Sequence, residues 1–174
     1  AQLEEQSYAT SYIPTNGASA TRLADECTDA GNADTFNDSE GVLYAEISAL
    51  DTAPSRGITL GDGTSANRVQ VFYNSSNVLS ANVITNGSSQ VTGFSYNGDA
   101  NLFNKCALKY KANDFALWVN GVEVATDSSG SAPIGLNKLN FDNGSGAADF
   151  YGKVKDVRVY NTALTDAELA ALTS

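Results

Sequence analysis

The stretch Phe115-Ala-Leu-Trp-Val-Asn-Gly-Val-Glu-Val-Ala125 decides the fold. Residues alternate on both sides of Asn120-Gly121, and Asn-Gly between two such runs is the strongest short hairpin signal. A type I′ turn needs positive φ at both central positions, which Asn and Gly tolerate best. This turn sets Val119 opposite Val122 and Leu117 opposite Val124, and these four are expected to face a core. Trp118 and Glu123 then point the other way.

Working outward, the same two-residue period fills most of the chain. Tyr8, Thr10 and Tyr12 alternate with Ala9, Ser11 and Ile13 until Pro14 ends the run. Leu43, Ala45 and Ile47 share one face, with Tyr44 and Glu46 on the other. Arg68 to Tyr73, Val78 to Thr85, Gln90 to Tyr96, Leu102 to Lys111, Lys138 to Phe141 and Val154 to Tyr160 read as further strands. The breaks between them are turn compositions such as Gly-Asp-Gly, Asn-Ser-Ser-Asn and Asn-Gly-Ser-Gly. The segment from Gly31 to Glu40 has no period and reads as a surface loop. Only the end looks helical. Thr165-Asp-Ala-Glu168 has capping-box spacing, its acids suit the positive end of the helix dipole, and Leu164, Leu169 and Leu172 can pin the helix to the sheets.

Roughly a dozen short strands at this spacing imply an all-β fold. The expected form is an antiparallel two-sheet jelly-roll sandwich with one short C-terminal helix. The 174 residues fit a single domain over 1–174. Gly, Asn, Ser and Thr together make up 64 residues, which suits many turns between short strands. Twenty acidic residues against ten basic ones give a net charge of −10, which argues against nucleic acid and anionic membrane surfaces as partners. No apolar run approaches the roughly 20 residues of a membrane span. With no histidine, Ser-His-Asp and Cys-His catalysis and His-ligated zinc are excluded. Cys27 and Cys106 are too few for a disulfide framework and stand either as free thiols or as one bridge.

The C-terminal half resembles a laminin-G-like, concanavalin A-like jelly-roll domain. The residues that carry this are Lys105 to Lys111, the Asn-Gly hairpin, Gly152-Lys-Val-Lys-Asp-Val-Arg-Val-Tyr-Asn161 and Ala163-Leu-Thr-Asp-Ala-Glu-Leu169. The resemblance covers roughly residues 40–174. A second one lies in residues 1–25. Gln2-Leu-Glu-Glu, Ser7 to Thr15 and Ala20 to Asp25 resemble a segment of bacteriophage tail and other virion structural proteins. Together they imply a phage tail-fibre or tail-spike module, in a virion or extracellular setting, that binds glycans or forms a structural tip. The jelly-roll resemblance also implies that the N-terminal strand pairs near the C-terminal one. A homo-oligomer through flanking regions is compatible with this setting.

Enzymes share this fold, so catalysis needs weighing. The resembling hydrolases carry E-x-D-x-x-E on one strand, whose alternation puts three carboxylates on one face, as acid and nucleophile require. None of the seven glutamates here has Asp two residues on. The resembling lyases use a strand histidine, which is missing. Glu46 and Glu123, both off the core face, are the remaining pair to suspect, and the chain is expected not to be an enzyme.

A glycan-binding reading rests on outward aromatic and planar polar side chains, because sugar C–H faces stack on rings while hydroxyls need paired donors and acceptors. Trp118 is the only tryptophan. It is either the stacking platform or a second minor core beneath the C-terminal helix. Tyr44 and Tyr160 are the neighbouring rings. Glu46, Gln70, Asn82 and Arg158 are the candidate polar lining, and Asp156-Val-Arg158 also reads as a structural ion pair. The net charge favours a neutral polysaccharide over a strongly acidic one. Calcium is the cofactor to consider, since it takes oxygen ligands from loops of Asp, Asn and Gly. Asp142, Asp149 and Asp62 are weak candidates in such loops, and no metal is expected. The Asn-x-Ser/Thr triplets at Asn74, Asn86 and Asn143 are expected by chance in so Asn- and Ser-rich a chain.

Overall fold

A computed structural model of the chain describes residues 30–49 and 54–174, with Pro14, Gly17 and Ala18. The N-terminal strand from Tyr8 to Ile13, its pairing, the phage-like segment and Cys27 lie outside the described residues. Among the described residues eleven strands and one helix follow one another in the order β1 Glu40–Ala49, β2 Arg56–Gly61, β3 Arg68–Tyr73, β4 Leu79–Thr85, β5 Ser88–Ser89, β6 Ser95–Tyr96, β7 Asn104–Lys111, β8 Phe115–Val119, β9 Val122–Asp127, β10 Lys138–Asn140, β11 Gly152–Tyr160 and α1 Asp166–Thr173. All strand pairings are antiparallel. One sheet runs β11-β1-β7-β8-β9, and the other runs β10-β2-β3-β4-β5 with β6 also paired to β4. This is the two-sheet jelly-roll sandwich that the alternation predicts.

The core sits between the sheets. Leu43, Ala45, Ile47, Cys106, Leu108, Tyr110, Leu117 and Val119 come from the five-stranded sheet. Ile58, Leu60, Val69, Val71, Tyr73, Ala81 and Val83 come from the other. These are alternate residues of their strands, so one pleat face supplies the core and the other faces outward. Each buried Leu, Ile or Val contributes roughly 1.5–3 kcal/mol of transfer free energy, which makes this layer the main source of stability. Cys106 is a free, buried thiol. Its Sγ–H donates to the Ala45 carbonyl at 3.3 Å, and burial pushes its pKa up to about 12, so it is inert as a nucleophile.

Several local readings are corrected. The Asn120-Gly121 turn forms, with positive φ at both residues (51° and 80°), and Val119 pairs with Val122. A register shift between Leu117 and Trp118 then places Leu117 opposite Ala125, not Val124. Val122 is 61% exposed and lies outside the core, because β9 is the edge strand of its sheet. The Gln90–Tyr96 segment keeps only the two-residue β6, since Gly93 takes positive φ (74°) within it. Arg56–Gly61 is a strand that the sequence reading missed. Its flanking glycines hid the period.

The helix forms as predicted. Thr165 Oγ1 accepts from the Glu168 backbone N–H and Glu168 Oε2 accepts from the Thr165 N–H, completing the capping box. The helix lies on the outer face of the five-stranded sheet, where Leu169, Leu164 and Leu172 pack on Val42, Tyr44, Ala107, Ala116 and Trp118 in a second, smaller core. Further ties hold it there. Lys109 pairs with Asp166 at 3.7 Å, the Gly121 N–H donates to Thr173 Oγ1 at 3.1 Å, and Lys105 Nζ donates to the Ser174 carbonyl. Among the described residues no helix is long and apolar enough to cross a membrane.

Candidate functional site

Strand alternation puts every candidate off the main core, but the two sheets divide them. Tyr44, Glu46, Trp118, Arg158 and Tyr160 lie on the outer face of the five-stranded sheet, whereas Gln70 and Asn82 lie on the outer face of the other. The two groups stand on opposite sides of the sandwich and cannot line one site.

On the five-stranded sheet, the register lines up Arg158, Tyr44, Ala107, Trp118 and Glu123 across five strands. Helix α1 closes over the middle of this row. Trp118 is 9% exposed and Tyr44 3%. Neither ring is free to stack on a sugar, so the platform role for Trp118 is overturned in favour of the second minor core. Trp118 Nε1 is enclosed without a hydrogen-bond partner among the described residues. Burial, with Glu46 and Asp156 nearby, pushes the Tyr44 hydroxyl up to about 12. The charged groups around the row satisfy one another. Arg158 pairs with Asp156 at 2.5 Å and stacks 5.6 Å from the Tyr44 ring centre. Hydrogen bonds to Asp156 and Tyr160 raise its pKa. Tyr160 packs against the small core. Glu46 accepts from Lys155 Nζ at 2.8 Å.

Glu46 and Glu123 do not form a catalytic pair. Their strands are separated by β7 and β8, which is three interstrand spacings, or about 14 Å. Glycosidase carboxyl pairs stand roughly 5–9.5 Å apart, and α1 lies between these two strands.

The outer face of the six-stranded sheet is different. Register aligns Asn140 with Thr59, Thr59 with Gln70, and Gln70 with Asn82, giving one polar row across β10, β2, β3 and β4. The Asp142–Asp149 loop closes one end of it, because Thr59 Oγ1 donates to the Asp142 carbonyl at 2.7 Å and the Gly57 N–H to the Ala148 carbonyl at 3.4 Å. Gln70 is only 5% exposed, yet its side-chain amide has no hydrogen-bond partner among the described residues and its polar atoms are not enclosed. Asn82 beside it is half-buried, and its amide also reaches solvent. A Cβ on Gly57 would come within 2.7 Å of Gln70 Nε2, so the missing side chain at 57 makes the space in which this amide lies. Phe72 and Ser80, paired in the next outward row, border it.

Arg68 stands two residues from Gln70 on the same face of β3, roughly 7 Å along the strand. Its Nη1 donates to the Asn143 carbonyl at 2.7 Å. Its Nε is enclosed without a partner among the described residues, and burial pushes its pKa down. Thr59, Arg68 and Phe72 are the residues that the sequence reading missed. Arg68 and Phe72 share the parity of Gln70, which was the signal for them, while Thr59 sits on the missed strand.

The weak calcium candidates are not brought together. Asp62 accepts from the Thr64 N–H and hydroxyl and from Asn67 Nδ2, bonds that hold its carboxyl below the usual range against the opposing effect of burial. Asp142 accepts from the Gly144 N–H. Both carboxylates shape their own turns, and among the described residues no three carboxylates or thiols converge on a metal position.

A search of curated proteins finds no match to this chain. Among solved structures, the Ruminococcus gnavus IT-sialidase CBM40 bound to alpha2,3 sialyllactose is similar, with TM-score 0.64 and 19% identity over 87% of this chain and 94% of that one. The native heptameric SAP-like pentraxin of Limulus polyphemus gives TM-score 0.60 and 14% identity over 86% and 75%. The leech intramolecular trans-sialidase gives 0.59 and 20% over 86% of this chain, but the match spans 26% of that longer one. At these identities the likeness is one of fold. The Laminin_G_3 family model, described as concanavalin A-like lectin/glucanases superfamily, matches residues 32–170, and the chain therefore belongs to that family.

Proposed function

We propose that this chain is a non-catalytic carbohydrate-recognition module whose binding face is the outer surface of the six-stranded sheet. The observation that carries the reading is the Gln70–Asn82 pair. Two planar amides stand side by side in register, one of them almost wholly covered, and neither has a partner among the described residues. Both amides keep polar atoms within reach of solvent, and the paired donors and acceptors of adjacent sugar hydroxyls fit them in place of water. Phe72 offers a partly exposed ring beside them for a sugar C–H face. The similarity to a sialyllactose-bound module supports the same reading.

The separation of Glu46 from Glu123 and the lack of histidine support a module that binds without cleaving. The phage-like N-terminal residues support a place in a virion tail or another extracellular assembly, where flanking regions bring copies together and raise weak binding through avidity. The test is a glycan array and affinity electrophoresis with wild type, Gln70→Ala and Asn82→Ala. Retention that either substitution abolishes, with the fold intact, supports the module and its site. Release of reducing ends from any retained polysaccharide would overturn the non-catalytic reading.

A further inference from the structure

The outer row next to the amide pair is charged in a way that a neutral sugar does not need. It runs Lys138, Gly61, Arg68 and Ile84 across the same four strands. Lys138 and Arg68 both face outward, since Leu139 and Val69, their chain neighbours, pack on the core. They stand two interstrand spacings apart, about 10 Å, with glycine and therefore no side chain between them. Arg68 makes one hydrogen bond among the described residues, to a neutral carbonyl. It has no carboxylate partner among them, although the chain carries twenty acids. Arg158 and Lys155, on the opposite face, each have one. Asp62, beside the Gly61 that pairs with Arg68, and Asp142, beside the Asn143 that accepts from it, are held in their own turns by Thr64, Asn67 and Gly144.

A partly buried guanidinium without a counter-charge is costly, because desolvation disfavours its charged form. Its Nη2 makes no hydrogen bond to the described residues and is not enclosed. That leaves one donor group of a planar fork without a partner among the described residues, on the strand face that also carries Gln70.

Building on the glycan-binding reading above, we propose that Arg68 is the specificity-determining residue of the site and takes the carboxylate of an acidic sugar while Gln70 and Asn82 hold its hydroxyls. The ligand class is a glycan with isolated carboxylate-bearing residues among neutral ones. The chain's charge of −10 repels a dense polyanion, and one local guanidinium does not offset that along a uniformly charged polymer. A single carboxylate at Arg68 meets a guanidinium that has no carboxylate partner among the described residues.

The test uses an array of matched glycans that differ only at one carboxylate, present as the free acid, as its methyl ester, or replaced by a neutral sugar. Wild type is expected to prefer the free acid over its methyl ester by about ten- to hundredfold, the scale of one charge-assisted hydrogen bond. Arg68→Gln is expected to lose that preference without losing its thermal transition, and Arg68→Lys to keep part of it. Equal binding of acid and ester, or an acid preference that survives in Arg68→Gln, overturns the role of Arg68 and leaves the module reading intact. Absence of binding to every glycan overturns both. Should Arg68→Gln not fold, the acid-against-ester comparison on wild type still decides whether a carboxylate is recognised.

Discussion

The two outer faces of this sandwich start from the same strand alternation and end with opposite roles. On the five-stranded sheet the outward residues include Tyr44, Ala107, Ala116 and Trp118, and α1 covers them to make a second core. On the six-stranded sheet they include Thr59, Arg68, Gln70 and Asn82, and among the described residues the Asp142–Asp149 loop lies over one end. Tyr44 and Trp118, the outward aromatics of the five-stranded sheet, therefore lie beneath the helix. The six-stranded sheet instead carries outward amides that have no partner among the described residues and whose polar atoms solvent still reaches.

Breaking the closed face has the largest expected effect. Trp118→Ala removes a ring enclosed by Tyr44, Ala116 and Leu169, and should cost about 3–5 kcal/mol in urea unfolding. Glycan retention of the molecules that remain folded should be unchanged. If instead stability is kept and retention lost, the two faces have been assigned the wrong way round. Leu169→Ala, from the helix side of the same core, should cost about 2–5 kcal/mol and shift Trp118 fluorescence to longer wavelength as the ring meets water.

A pH titration sharpens the contrast within the buried layers. Tyr44 in the small core and Tyr73 in the main one both have pKa values pushed from 10.0 to about 12 by burial. Each folded value lies above the unfolded one, so their contribution to stability is complete below pH 10 and declines as pH rises from about 10 towards 12. Alkaline unfolding should thus begin in that window, with tyrosinate absorbance rising together with the loss of structure. Absorbance that rises in full near pH 10, with the fold intact, would mean that these rings are not enclosed.

Smaller still is the capping box. Thr165→Ala should cost about 1 kcal/mol, read as a small drop in the thermal midpoint. Lys155→Ala, which removes an exposed partner of Glu46, should change stability by no more than about 1 kcal/mol and leave glycan retention as it was.

The sequence made the local features legible and the long-range ones less so. Thr165-x-x-Glu168 and Asn120-Gly121 act through neighbouring residues, and both form as read. Parity along each strand also told correctly that Trp118, Tyr44 and Gln70 leave the main core. Parity does not say which sheet a strand joins, however, so Gln70 and Asn82 were grouped with Trp118 although β3 and β4 lie in the opposite sheet. Nor did it say where the helix lands. The three leucines showed that α1 must be pinned somewhere, but only the β7–β8 pairing brings Ala107 and Ala116 together as a shallow seat beside Trp118. The register shift at Trp118 lies inside the β8–β9 hairpin, where Val124 is an extra residue on β9 that interrupts the pairing without a mark in the sequence. The strand Arg56–Gly61 escaped because the glycines at 57 and 61 carry no side chain to mark a period.

The most direct measurement of the central claim is an amide chemical-shift map recorded while a glycan that the array shows to bind is titrated in. The account predicts perturbations clustered on β3 and β4, at Arg68 to Phe72 and Ser80 to Asn82, with the amides of Tyr44, Trp118 and Arg158 unmoved. Perturbations centred on β1, β8 and β11, with β3 and β4 silent, would contradict it.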